Sequence, residues 1–193
     1  MRTALYAYFE ARFLLTAEGK ALIDAAVIPR TMRKGEFLLR EGEPGKYAAF
    51  VCKGFLRSYV VDNKGKEHVI QFAPENWWIS DKGPASGTES SSLFIDCIED
   101  SDILLMDMAG HTTLMEKLPG YATAFRAGMQ KRTDAKDKRI VHSLTATAQE
   151  RYNDFLQTFP GIALRVPQHM LASYLGITPE TLSRIRRKAM QKK

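Results

Sequence analysis

Within PETLSRIRRK, residues 179–188, a carboxylate (Glu180), a hydroxyl (Ser183) and two guanidinium groups (Arg184, Arg187) stand at i, i+3, i+4 and i+7. On an α-helix that spacing puts all four along one face. The combination suits the edges of base pairs: an arginine can donate two hydrogen bonds to guanine O6 and N7, a carboxylate can accept from cytosine N4, and a serine hydroxyl can serve either way. Glu180, Arg184 and Ser183 are therefore the candidate base readers. Thr178, Thr181, Arg186, Arg187 and Lys188, with Gln168 and His169 just upstream, are better placed for phosphates, contacts that fix position without reading sequence.

Such a stripe needs a rigid support, and QHMLASYLGITPETLSRIRRK (168–188) reads as a helix-turn-helix. Ala172 is small where the second helix crosses the first, and Gly176 supplies a tight turn that a residue with a Cβ enters only at a cost. Leu171, Leu175, Leu182 and Ile185 make the shared apolar face. Thr178 is a good N-cap, Pro179 fits the first helical position and Glu180 suits the positive end of the helix dipole, so the second helix starts after Thr178. An ordinary helical hairpin with a solvated basic face would explain the charges alone. The coincidence of small, turn, apolar and cationic positions favours double-stranded DNA.

Charge agrees with that reading. The 193-residue chain carries a net +6, spread as −3 over residues 1–120 and +9 over 121–193, so the polyanion-binding half is the C-terminal one. With 45% hydrophobic residues it can build real cores. Cys52 and Cys97 lie far apart, neither in a C-x-x-C pair, and His68, His111, His142 and His169 are scattered without ligand spacing; neither a metal site nor a cofactor is expected. The first 27 residues are interrupted by Glu10, Arg12 and Glu18 and read as two amphipathic helices, not a signal or membrane segment, which places the protein in the cytoplasm.

Residues 30–108 have a different texture. FLLR, YAAFV, GFLRSYVV, EHVIQFA, SLFIDCIE and DILLMD alternate with turn signals at 41–45, Lys53-Gly54 and Asp62–Gly65, the spacing of a β-sandwich or barrel. After Asp107 the period becomes helical. Leu118, Ala122, Phe125 and Met129 repeat at four, three and four residues, Tyr121 widens the stripe, and Ile140, Val141 and Leu144 resume it. This predicts a long helix over about 119–144 whose seam, Leu118, Tyr121, Ala122, Phe125 and Met129, pairs over a short stretch, interrupted by Arg132 and Lys136, with a second copy of the chain to form a homodimer; a helix lying on its own β domain is the alternative. Thr147 and Glu150 form a capping box that opens the next helix.

A β-roll, a long helix, a capped short helix and a helix-turn-helix together resemble the Crp/Fnr superfamily of bacterial transcription regulators. The resemblance spans nearly the whole chain and is carried most specifically by GITPETLSRIRRK (176–188), the KGE…EGE sequence (34–43) and VCKGFLRSY (51–59). It implies an α+β fold: an N-terminal β-roll of the double-stranded β-helix or jelly-roll type flanked by helices (1–118), a dimerisation and linker helix (119–145), and a C-terminal helix-turn-helix domain (146–193). It also implies that Glu180 and Arg184 match the family's base-contacting pair, with RNA polymerase as a further candidate partner. Members that bind cyclic nucleotides carry a Gly-Glu for the ribose and an Arg-Ser or Arg-Thr for the phosphate. Here residues 75–100 contain no arginine, and Lys82 is their only cation. A cyclic nucleotide is therefore not expected as the effector. The chain runs only a few residues past the recognition helix, so the strand that follows it in longer members, and its wing contacts, are not expected.

Trp77, Trp78, Asp81, Lys82, Ser90 and Ser91 define a candidate pocket for an unidentified small-molecule effector, with the indoles as a stacking platform; simple packing of the two rings in and around the roll is the plainer alternative. The expected function is sequence-specific DNA binding at a two-fold related site, not catalysis. A cupin-type metalloenzyme would need several converging histidines, and His68 is the only one before residue 111. A ligand-binding regulatory protein acting through protein contacts is the remaining alternative.

Overall fold

The computed structural model describes residues 1–81 and 90–190, without the side chains of Lys131 and Met190. Two helices open the chain, α1 (Arg2–Glu10) and α2 (Ala17–Ala26). Thr16 starts the second by accepting a hydrogen bond from Gly19 N at 3.2 Å. Eight strands follow: β1 (Ile28–Met32), β2 (Phe37–Leu39), β3 (Ala48–Lys53), β4 (Leu56–Val61), β5 (Glu67–Ala73), β6 (Trp78–Ile79), β7 (Phe94–Cys97) and β8 (Ser101–Met106). They form two four-stranded sheets, ordered β1-β8-β3-β6 and β2-β7-β4-β5. Strand β8 pairs antiparallel with β1, Ile28 opposite Leu105, and with β3, Ala49 opposite Leu105. Strand β7 pairs likewise with β4, Leu56 opposite Cys97. Apart from β4 and β5, neighbours in each sheet are distant in sequence, the arrangement of a double-sheet roll.

Strand alternation divides the core in two. Met32, Leu39, Ala49, Val51, Leu56, Ile79, Ile95, Ile103 and Leu105 point between the sheets and fill the roll. Their neighbours Phe50, Leu104 and Met106 point the other way, onto Leu5, Phe9 and Ile23 of the N-terminal helices. This explains why β3 and β8 read as nearly continuous apolar runs: both faces are covered. At the β3–β4 turn Gly54 has φ +95°, and a Cβ there would lie 2.5 Å from the Asp100 carbonyl oxygen, so only glycine fits.

The far face of the second sheet carries charge. Arg57 and Asp96 are cross-strand partners, joined by Nε to Oδ1 at 2.8 Å and Nη2 to Oδ2 at 2.9 Å, and are only 4% and 8% exposed. The guanidinium lies 4.1 Å from the centroid of Tyr59, which stacks on Phe94 at 5.2 Å. Two-point pairing is the geometry that lets such charges be buried.

Asp107 caps α3 (Met108–Lys117) by accepting from Gly110 N at 2.8 Å, and α4 (Tyr121–Thr145) follows. The expected capping box is present: Thr147 N donates to Glu150 Oε2 at 2.8 Å and Glu150 N to Thr147 Oγ1 at 3.3 Å, opening α5 (Ala148–Thr158). The last two helices are α6 (Gln168–Leu175) and α7 (Pro179–Met190). The chain divides into two compact units, Met1–Val60 with Gln71–Met129, and Val61–Ile70 with the chain from Gln130 onward. The division falls inside α4, and the outer part of the β4–β5 hairpin, Val61–Ile70, groups with the helices.

The start of α4 corrects the seam drawn from periodicity. Leu118 and Tyr121 are 5% and 3% exposed within the cluster of α1, α2 and α3, and Phe125 packs against the same cluster. Their own protomer covers them. Ala122 is half-buried, Met129 is 41% exposed and Ile140 60% exposed. Those three are seven and eleven residues apart, close to whole numbers of helical turns, and so share one side of α4.

Candidate nucleic-acid interface

Helices α5, α6 and α7 pack on one another through Tyr152 and Phe155, through Leu171, Ala172 and Leu175, and through Leu182 and Ile185, all of them buried. Gly176 ends α6 in the left-handed region, φ +65°, and Ile177 N reaches back to the Ala172 carbonyl at 3.0 Å. That closure turns the chain within two residues. Thr178 then caps α7, its Oγ1 accepting from Thr181 N at 3.2 Å. Apolar positions 182 and 185 are thereby turned inward, which obliges 180, 184 and 187 to face out.

Glu180, Arg184 and Arg187 are exposed and Ser183 is half-buried; together with Gln168 and Pro179 they line one open recess. The three candidate base readers are thus brought together, with two of the phosphate candidates at their side. Hydrogen bonds from its own backbone N–H and from the Thr178 hydroxyl hold the Glu180 carboxyl below its ordinary range. It is an acceptor at neutral pH, beside donors at Arg184 and Arg187. Gln168 Nε2 donates to the Pro179 carbonyl at 2.8 Å, tying the start of α6 to the first turn of α7.

The other phosphate candidates are dispersed. His169 and Lys188 are exposed outside the recess, while the Thr178 and Thr181 hydroxyls turn toward each other at 3.2 Å. Arg186 differs from expectation: it is half-buried, donates from Nη2 to the Ala163 carbonyl at 3.1 Å, and lies 5.9 Å from the Tyr152 ring. One residue past the buried Ile185, it reaches the segment between α5 and α6 and braces α7 from behind.

The candidate effector residues separate as well. Consecutive residues of an extended strand point to opposite faces. Trp77 accordingly packs against the cluster inside the roll and Trp78 against the outer one, 5.3 Å from Phe50, so the two indoles form no common platform. Ser91 is buried, and its hydroxyl donates to the Leu93 carbonyl and accepts from Leu93 N, a local turn. Ser90 is exposed and bridges to Pro44, Asp81 is half-buried, and Lys82 lies outside the described residues.

Two residues not singled out in the sequence support α6. Ser173 Oγ donates to the Glu67 carbonyl at 2.9 Å and accepts from Val69 N at 3.0 Å. Arg139 Nη2 donates to the carbonyls of Val69 at 2.9 Å and Tyr174 at 3.1 Å, Nη1 donates to that of Ile70, and the guanidinium sits 4.0 Å from the Tyr174 ring centroid.

Comparison with known proteins gives matches on both the sequence and the fold. Residues 29–117 match the cyclic nucleotide-binding domain family. Over 183 residues the chain is 24% identical to the transcriptional activator protein Anr of Pseudomonas aeruginosa, covering 89% of this chain and 74% of Anr. Its fold is similar to that of CLP, a c-di-GMP-responsive global regulator of Xanthomonas campestris, with a TM-score of 0.71 at 14% identity over 92% of this chain and 93% of CLP. It is also similar to FixK2 from Bradyrhizobium japonicum, with a TM-score of 0.71 at 22% identity over 86% and 85% of the two chains.

Proposed function

We propose that the chain is a Crp/Fnr-type transcription regulator, a reading supported by its matches to the cyclic nucleotide-binding domain family and to Anr, and that it binds DNA sequence-specifically as a homodimer, with α7 in the major groove. The observation that carries this reading is the recess of α7, in which a carboxylate, a hydroxyl and two guanidiniums face outward together while Leu182 and Ile185 anchor the opposite side. Glu180, Ser183 and Arg184 read bases; Arg187, Lys188 and His169 contact phosphates. Two chains meet along the exposed side of α4, through Ala122, Met129 and Ile140. Half-sites about one helical turn, roughly 10 bp, apart follow from that symmetry. RNA polymerase is the further partner of a regulator that activates. No helix among the described residues is long and apolar enough to cross a membrane.

A gel shift with genomic fragments separates this reading from a regulator acting only through protein contacts. Replacing Arg184 with Ala should cost about 1–3 kcal/mol on the selected operator and relax preference at one base of each half-site. Replacing Lys188 with Ala should weaken binding to all sequences alike and flatten its salt dependence. Equal losses on operator and random DNA for the Arg184 variant would refute its role as base reader.

The roll's effector is not a cyclic nucleotide. Residues 75–100 hold no arginine, and Arg57 is engaged with Asp96. A buried phosphate would lack the paired cation that offsets its desolvation. Calorimetry with cyclic AMP and cyclic GMP should show no binding at micromolar concentrations, and DNA binding should be the same with or without them. Micromolar affinity for either nucleotide would overturn this.

A further inference from the structure

Among the described residues strand β5 is the edge of its sheet, so no further strand of these residues pairs with its outer side. Within the second unit that edge is completed by side chains. Ser173 of α6 bonds both Glu67 O and Val69 N, taking the place of a neighbouring strand, and Arg139 of α4 binds the carbonyls of Val69, Ile70 and Tyr174. The hairpin offered to them is itself braced. Asp62 accepts from Lys64 N at 2.9 Å and Lys66 N at 3.0 Å, and pairs with His68 Nε2 at 2.8 Å. A single guanidinium and a single hydroxyl therefore join three elements: the helix with the proposed two-fold seam, the hairpin edge, and the first helix of the DNA-reading pair.

We infer that Arg139 and Ser173 are positioning residues for DNA binding: their node holds α6, and α7 with it, at a fixed attitude to α4, and so sets the separation of the two recognition helices in the dimer. The inference rests on the reading of α7 proposed above. Reading two half-sites at once requires both recognition helices to stand about 34 Å apart. A fixed separation spares the ordering cost that two loosely hung heads would meet on binding. A single half-site engages one head and makes no demand on spacing. Loss of the node should therefore weaken the intact operator and spare the half-site, a split that neither a base reader nor a phosphate contact produces.

The experiment uses the full chain and an operator that the unsubstituted protein selects from random DNA, beside the same duplex with one half-site scrambled. Ser173→Ala and Arg139→Met should each lose about tenfold or more on the intact operator, as expected when one to three hydrogen bonds are removed. On the scrambled duplex they should stay within about twofold of the parent protein. Ser173→Thr keeps the hydroxyl and should keep operator affinity, which guards against misreading a misfolded Arg139→Met. Amide hydrogen exchange reports the node directly: Val69 N–H should be protected in the parent and in Ser173→Thr and exchange fast in Ser173→Ala. Equal losses on both duplexes, unchanged operator affinity once Val69 protection is gone, or tighter operator binding by Ser173→Ala would each overturn the inference while leaving the DNA reading intact. Failure of the parent protein to select any DNA would sink both.

Discussion

Asp96→Ala is expected to destabilise the roll by about 3–5 kcal/mol, because it strips the carboxylate from a guanidinium that cannot reach water. Arg57 is 4% exposed and is held by two bonds to Asp96, between strands at the middle of a sheet. The loss should appear in urea unfolding as a lower midpoint with little change in slope. Replacing both partners with apolar residues of similar size, Arg57→Met with Asp96→Leu, should recover most of the stability, since both members of the buried ion pair are then gone. A single Asp96→Ala variant within about 1 kcal/mol of the parent would mean that the pair contributes little.

The double substitution Met129→Glu with Ile140→Glu should convert the proposed dimer to a monomer and lower operator affinity by about a hundredfold or more, through loss of the second head. Both positions are exposed in the protomer, so their burial would come only from a second chain, and across a two-fold axis each new carboxylate meets its own copy. Phe125→Glu is a poorer test. Its ring lies 4.4 Å from that of His111 and packs on the protomer's own core, so that variant would damage the fold as well as any seam. Light scattering that finds the double variant still dimeric, with unchanged helicity, would remove this side of α4 from the interface.

Much of the architecture was legible because it rests on local chemistry. The Thr147–Glu150 box, the Thr178 cap and the left-handed Gly176 are each decided within four residues, and the structure has all three. The apolar positions of α6 and α7 are buried where the pattern put them. What escaped depends on partners far along the chain. A four-three-four apolar repeat says that a stripe is covered but not by what, so Leu118, Tyr121 and Phe125 read as a seam between copies although their own α1–α3 core claims them. Arg57 in an alternating strand reads as a solvent-facing cation until Asp96, 39 residues on, is placed opposite it. Ser173 and Arg139 meet residues 104 and 70 positions away, and a serine on a helix or an arginine in a polar helical run carries no mark of such a contact.

The edge of β5 also restricts how the length of this region can change through evolution. Along a strand, successive N–H groups point alternately to one side and the other, so the side presented to Ser173 is a matter of odd and even counting from Glu67, whose carbonyl the same hydroxyl holds. One residue gained or lost between Glu67 and Val69 would turn the Val69 amide away from Ser173. Two would restore its direction but carry it about 7 Å along the strand, past the reach of a hydroxyl. The tip at residues 63–65, beyond the paired positions, stands outside that arithmetic. Length variation among descendants of this chain is therefore confined to the hairpin's outer end, while its inner end is held to a fixed count by bonds to a helix more than a hundred residues later.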